Sequence, residues 1–150
     1  MTMVETELTL SSPLAKVWQA LVAFPDYARW HPYARLSGAA ELGARIDYIY
    51  ALDPASRRTL PAAATIIALE PQRILAWRIR VLPILSITEG YELLAEHAAT
   101  RPRHWTEYRG LLAFLSGRKM GTRAHATMRE TDFALQAYLI GADGKSPRRR

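Results

Sequence analysis

The sequence predicts an α+β fold: a curved seven-stranded antiparallel sheet wrapped on a long C-terminal helix, with two short helices after the first strand. Three observations carry this. Residues 117–140 repeat at helical spacing, and Met120, Ala124, Thr127, Met128, Thr131, Leu135, Tyr138 and Leu139 fall on one stripe at 100° per residue. Residues 33–113 break into six segments of strand character, separated by short turn-forming sequences. Short links between successive strands call for antiparallel neighbours, and a sheet of that kind has one face to cover. Only the C-terminal helix is long enough to lie across it.

The elements follow in chain order. Residues 4–10 alternate, with Val4, Thr6, Leu8 and Leu10 on one face and Glu5, Glu7 and Thr9 on the other. Ser11-Ser12-Pro13 opens a helix, because serine caps free N–H groups and proline suits the first turn. Leu14, Val17, Trp18, Leu21 and Val22 form its buried face. Residues 26–30 fit a second short helix between Pro25 and Pro32. Strands are then expected at 33–40, 44–52, 59–69, 74–81, 86–96 and 104–113. Pro61 implies an edge or a bulge in the third of these. Turns are expected at 53–56, at 70–72 and, for the last hairpin, at 100–103. Gly121 weakens the first turn of the long helix, and Gly141 stops it. Phe133 and Ile140 lie nearly opposite the apolar stripe, and simple amphipathicity does not explain them.

Composition narrows the function. The 150 residues suit one domain, read as 1–144, followed by a basic disordered tail at 145–150. The pI is near 10, but four of the 20 basic residues sit on the tail; residues 1–144 hold 16 against 14 acidic. No compact basic stripe with interleaved aromatics remains, so nucleic acid is not an expected partner. No run reaches the ~18 apolar residues of a membrane span, so stable membrane insertion is not expected. The N-terminus lacks a secretory pattern and cysteine is absent, which fits the cytoplasm. His31, His97, His104 and His125 show no metal-ligand spacing, and no phosphate-binding glycine loop occurs, so neither metal nor cofactor is expected.

Several motifs resemble one family. Ser12-Pro13, Val17-Trp18, Phe24-Pro25-Asp26-Tyr27 and Trp30-His31-Pro32 resemble the opening of the polyketide cyclase/dehydrase and lipid-transport superfamily, the START-like or Bet v 1-like helix-grip proteins. His31 stands where that pattern carries asparagine. Arg73-Ile74-Leu75-Ala76-Trp77 is similar to a family strand, as is His104-Trp105-Thr106-Glu107-Tyr108-Arg109-Gly110-Leu111-Leu112, with Thr106 at a family glutamate position. The resemblance spans nearly the whole chain. It implies a cavity between sheet and helix for lipids, polyketides or other apolar ligands, and it does not imply an enzyme.

The residues themselves suggest where that cavity's chemistry lies. Tyr48, Tyr50, Trp77, Tyr91 and Tyr108 recur at strand spacing and are expected on the concave face. They serve either as packing or as an amphipathic wall. Trp30, Thr106, Met128 and Leu135 complete the expected ligand contacts, with Trp30 also suited to plugging the core. His31 reads as a solvated loop residue or a group at the cavity mouth. Glu89 shares a strand face with Tyr91, and His104 with Thr106 and Tyr108. If both faces turn inward, Glu89 and His104 are neighbours able to move protons.

Two functions remain open on these grounds, binding of a small hydrophobic or aromatic molecule and cyclase or dehydratase chemistry through Glu89 and His104. A third is an interaction module that uses Phe133 and Ile140. The chain is expected to be a monomer or a homodimer.

Overall fold

Val4 and Thr6 turn inward while Glu5 and Glu7 face out, and this alternation makes Thr2–Glu7 the first strand, β1. The computed structural model describes residues 1–51 and 58–144. After β1 come helix α1 (Leu14–Val22), a 3₁₀ turn (Phe24–Asp26) and the one-turn helix α2 (Tyr27–Trp30). The remaining strands are β2 (Ala34–Ser37), β3 (Arg45–Ala51), β4 (Thr59–Glu70), β5 (Ile74–Leu82), β6 (Leu85–Glu96) and β7 (Ala99–Arg109). Helix α3 (Leu111–Gly144) ends the described chain. The sheet order is β1-β7-β6-β5-β4-β3-β2, antiparallel throughout, and the sheet curves around α3.

Register places the interior. Residues directly opposite on paired strands share a face, so each row across the sheet is a row of neighbours. One inward row runs Ile46, Ala64, Ile79, Ile87, Tyr108. The next runs Ile66, Trp77, Glu89, Thr106, Val4, and a third runs Leu69, Leu75, Tyr91, His104, Thr6. Polar side chains therefore collect where β6, β7 and β1 meet, and the β4–β5 side is apolar. The main core joins Val17, Trp18 and Leu21 of α1 with Phe24, Tyr27 and Trp30 and with Trp77, Tyr91, Leu135 and Leu139.

Several local expectations change. Ser12 gives α1 no side-chain cap; Pro13 precedes the first turn, and Ser12 instead offers its carbonyl to the Thr100 hydroxyl at 2.8 Å. The β6–β7 turn sits at His97-Ala98, not at 100–103, with His97 in the left-handed region at φ 56°. Thr100 to Arg103 belong to β7. Leu93 donates its N–H to the Arg73 carbonyl, so it faces Pro102 without bonding it. The proline nitrogen then turns to the side of β1, into the gap between the last β1 pair, Glu7↔Arg103, and the isolated bridge Leu10↔Thr100. Pro61 is not at the bulge but on a stretch of β4 whose β5 side is free, a local edge within the sheet. It pairs with Ile49 beyond the β4–β5 ladder, which begins at Ala64↔Ile79, and the bulge lies at Ile66/Ala68. The expected turn at 53–56 and the basic tail at 145–150 fall outside the described residues.

The long helix is longer than its stripe. It starts at Leu111, so Gly121 lies inside it, where a Cβ would approach Thr2 and Val4. Gly141 does not stop it, because helical hydrogen bonding continues to Gly144. The stripe is inward as read, with Ala124, Met128, Thr131, Leu135 and Leu139 buried. It also carries Asp132, which the sequence pattern did not single out. Phe133 and Ile140 are half exposed on the back, and the Arg129 guanidinium lies 5.8 Å from the Phe133 ring.

Two glycines report on this geometry. Gly110, at φ 111°, joins β7 to α3, and a Cβ there would lie 2.2 Å from the Ile84 carbonyl oxygen. Gly110→Ala is expected to lower stability by about 1–3 kcal/mol in denaturant unfolding. Gly141→Ala, in helical backbone with open space around it, is expected to raise stability by about 0.5–1 kcal/mol. A loss at Gly141 would mean that the helix ends there after all.

Candidate functional site

A cavity of about 590 Å³ lies between the concave face and α3. From the sheet come Tyr48 and Tyr50 of β3, Ile79 of β5, Ile87 and Glu89 of β6, and His104, Thr106 and Tyr108 of β7. From α3 come Met120, Arg123, Ala124, Thr127, Met128 and Thr131, which recur every three or four residues because only that stripe faces the sheet. His31 and Tyr33 also line the cavity. Leu60 and Val81 line the cavity while remaining about half exposed, so it opens to solvent there.

Much of the wall is aromatic. Tyr48 and Tyr50 stack at 6.3 Å, and Tyr50 stacks on Tyr33 at 5.6 Å. The Tyr33 hydroxyl donates to Glu130. Burial, and after it the negative charge of Glu89, pushes the phenols of Tyr48 and Tyr108 up, so both stay protonated at neutral pH. The Thr106 hydroxyl points to the Met128 sulfur at 3.3 Å.

The polar centre is a line of three titratable groups. His104 Nε2 lies 3.0 Å from Glu89 Oε1, and His104 Nδ1 lies 2.8 Å from Asp132 Oδ1. The second Asp132 oxygen accepts the Thr6 hydroxyl at 2.5 Å. Tyr91 stacks on the imidazole at 4.2 Å. Burial alone would lower the His104 pKa. The hydrogen bonds that the imidazole donates to Asp132 and Glu89, together with their charges, outweigh burial and raise the pKa to about 9. Both ring nitrogens are then N–H donors, and neither is left to meet a ligand.

His31 is buried, not solvated as a loop histidine. Its Nδ1 accepts the backbone N–H groups of Tyr33 at 3.0 Å and Ala34 at 2.9 Å, which puts the ring proton on Nε2. Burial, the charge on His104 and that on Arg35 hold its pKa down to about 3, so it stays neutral. An asparagine side-chain oxygen at this position could accept the same two N–H groups.

Among the expected ligand contacts, Tyr48, Tyr50, Thr106, Tyr108 and Met128 line the cavity, as do Glu89 and His104. Trp30, Trp77, Tyr91 and Leu135 lie in the core cluster and are not part of the lining. Trp30 packs between Tyr27 and Tyr138, and Trp77 between Phe24 and Tyr48, so they support the wall from behind. Sequence reasoning missed Asp132, Tyr33, Arg80 and Arg123. Asp132 carried a signal: it falls beside Thr131 and Leu135 on the stripe, where a carboxylate needs a buried partner.

Three comparisons bear on this architecture. The family model described as polyketide cyclase / dehydrase and lipid transport matches residues 1–137. A START superfamily protein from Mycobacterium smegmatis aligns with a TM-score of 0.78 at 9% identity, covering 95% of this chain and 99% of that one. Ara h 8.0201 aligns at 0.65 with 16% identity, covering 93% and 97%. DynU16, from the dynemicin biosynthetic locus, aligns at 0.66 with 18% identity, covering 93% of this chain and 47% of that one. At such identities the likeness is one of fold. No curated protein matches the sequence.

The His104 pair makes stability depend on pH. A folded pKa near 9 lies above the ordinary 6.5, so the stabilisation is fully present below about pH 6.5 and is lost as pH rises through about 9. Imidazole NMR is expected to show one histidine titrating near 9, and Asp132→Asn to move that midpoint downward. A His104 midpoint near 6.5 in the wild type would mean that the two carboxylates do not hold the proton.

Proposed function

This chain belongs to the polyketide cyclase / dehydrase and lipid transport family, and on that premise we propose that it binds a small, ring-bearing apolar molecule in the cavity between the sheet and α3. The observation that carries the reading is the cavity itself. Its volume of about 590 Å³ lies in the range of small-molecule sites, and its wall is mainly apolar and aromatic, with Glu89 and His104 side by side within it. Tyr48, Tyr50, Tyr108, Thr106 and Met128 form the contact surface in this reading. Trp30, Trp77, Tyr91 and Leu135 hold that surface in place.

A second reading, acid–base catalysis of the cyclase or dehydratase kind, is favoured by the Glu89–His104–Asp132 line. In it Glu89 takes a proton from the substrate carbon and returns it to the departing hydroxyl, so that water leaves as the double bond forms. His104 and Asp132 position Glu89 and do not touch the substrate.

Binding of the fluorescent probe N-phenyl-1-naphthylamine tests the first reading. Saturable binding is expected in the wild type. Thr127→Trp, which fills the cavity from α3, is expected to weaken it at least tenfold without loss of fold. Equal affinity in that variant would place the probe elsewhere and sink the assignment. For the second reading, Glu89→Gln is expected to abolish turnover of any substrate found; retained turnover in a folded variant would remove Glu89 from the chemistry.

A further inference from the structure

The inner end of the cavity is built to accept a hydrogen bond, and this follows from counting what each atom of the polar line already does. His104 uses both ring nitrogens, one on each carboxylate, and Tyr91 covers its ring. Asp132 uses both oxygens, on His104 and on Thr6. Glu89 uses Oε1 on His104, and among the described residues no donor meets Oε2. Glu89 is also the more exposed of the two carboxylates, at 14% of its side chain against 9% for Asp132, and it lines the cavity. Two carboxylates around one imidazolium leave the line with one negative charge to spare.

The other end carries the opposite sign. Arg80 and Arg123 line the cavity where it reaches solvent. Arg123 precedes Asp132 by nine residues on α3, which is about 13 Å along the axis. Between the two ends the wall is Ile79, Ile87, Met128 and the tyrosine rings. A molecule lying along α3 therefore meets an acceptor at its inner end, apolar and aromatic surface at its middle, and cations at its outer end. A ligand that closes over Glu89 Oε2 without offering a donor buries that oxygen unpaired, so it loses affinity that a donor-bearing one keeps.

Resting on the binding role assigned to this cavity, we propose that its ligand is an elongated aromatic molecule whose inner end carries a hydrogen-bond donor, a hydroxyl or an ammonium, held at Glu89 Oε2. The site is thereby selective for donor-bearing rings over their etherified counterparts.

The test compares 2-naphthol with 2-methoxynaphthalene, which keeps the ring and the oxygen and removes the donor. Affinities are measured by calorimetry on the wild type and on Glu89→Gln. In the wild type 2-naphthol is expected to bind at least about tenfold tighter, the ratio a charge-assisted hydrogen bond supports. In Glu89→Gln that ratio is expected to fall to within about threefold. If Glu89→Gln does not fold, Glu89→Asp, which withdraws the oxygen by one methylene, is read in the same way.

Equal binding of the two probes by the wild type would overturn the donor requirement and leave cavity binding standing. A preference for 2-naphthol that persists in Glu89→Gln would overturn the assignment to Glu89. If neither probe binds, cavity binding and the donor requirement fall together.

Discussion

Asp132 on α3 meets His104 on β7 in the interior, and that contact fixes how the long helix lies on the sheet. Apolar side chains along a helix can slide by a turn at modest cost, because one methyl group replaces another. A buried carboxylate cannot, since leaving it unpaired costs several kcal/mol. Asp132 has partners on two strands at once, His104 and Thr6, and shifting α3 by a residue would strand all three. The polar contact is thus a registration device, and it also sets which face of α3 looks into the cavity.

From that anchor the rest of the interior follows. C-terminal to Asp132 the helix packs densely through Leu135 and Leu139 against the α1 and α2 aromatics. N-terminal to it the inward side chains are Thr131, Met128, Thr127 and Ala124, and they leave the gap that becomes the cavity. Gly117 and Gly121 let the early part of α3 run close over Thr2 and Val4 of β1, so the helix leans toward that edge. The space is left on the side of β3 to β6. A dense half and a hollow half of one interface therefore come from side-chain size along a single helix.

The same geometry divides labour among the aromatics. Trp30, Trp77 and Tyr91 are almost wholly buried and touch other rings, so they set the shape of the wall from outside the cavity. Tyr48, Tyr50 and Tyr108 border the space, with hydroxyls kept protonated by burial and by Glu89. His31 belongs to the first group in function although it borders the space, because its Nδ1 is spent on the backbone at the start of β2. What distinguishes a wall residue from a supporting one is one strand position, or one turn of helix.

The sequence by itself determined the element order, the alternation that puts Glu89 with Tyr91 and His104 with Thr106 on shared strand faces, and the apolar stripe of the long helix. These are periodic features, and a period of two or of 3.6 is written locally in the chain. The sequence also carried the family resemblance. That both strand faces turn inward was decided by the sheet's packing on that helix. Only the tertiary structure decided where β6 turns into β7, because Pro102 reads as a turn until it is seen to fall in a gap of the ladder that the N-terminal segment makes with β7. Only the tertiary structure decided that α3 runs past Gly141, since helix packing overrides the local preference of glycine. It alone brought Asp132 to His104 and placed Arg123 at the opposite end of the cavity from Glu89, for these contacts join residues far apart in the chain. Side-chain pairs of that kind depend on strand register and on the seating of one helix, and neither is encoded in any short stretch of sequence.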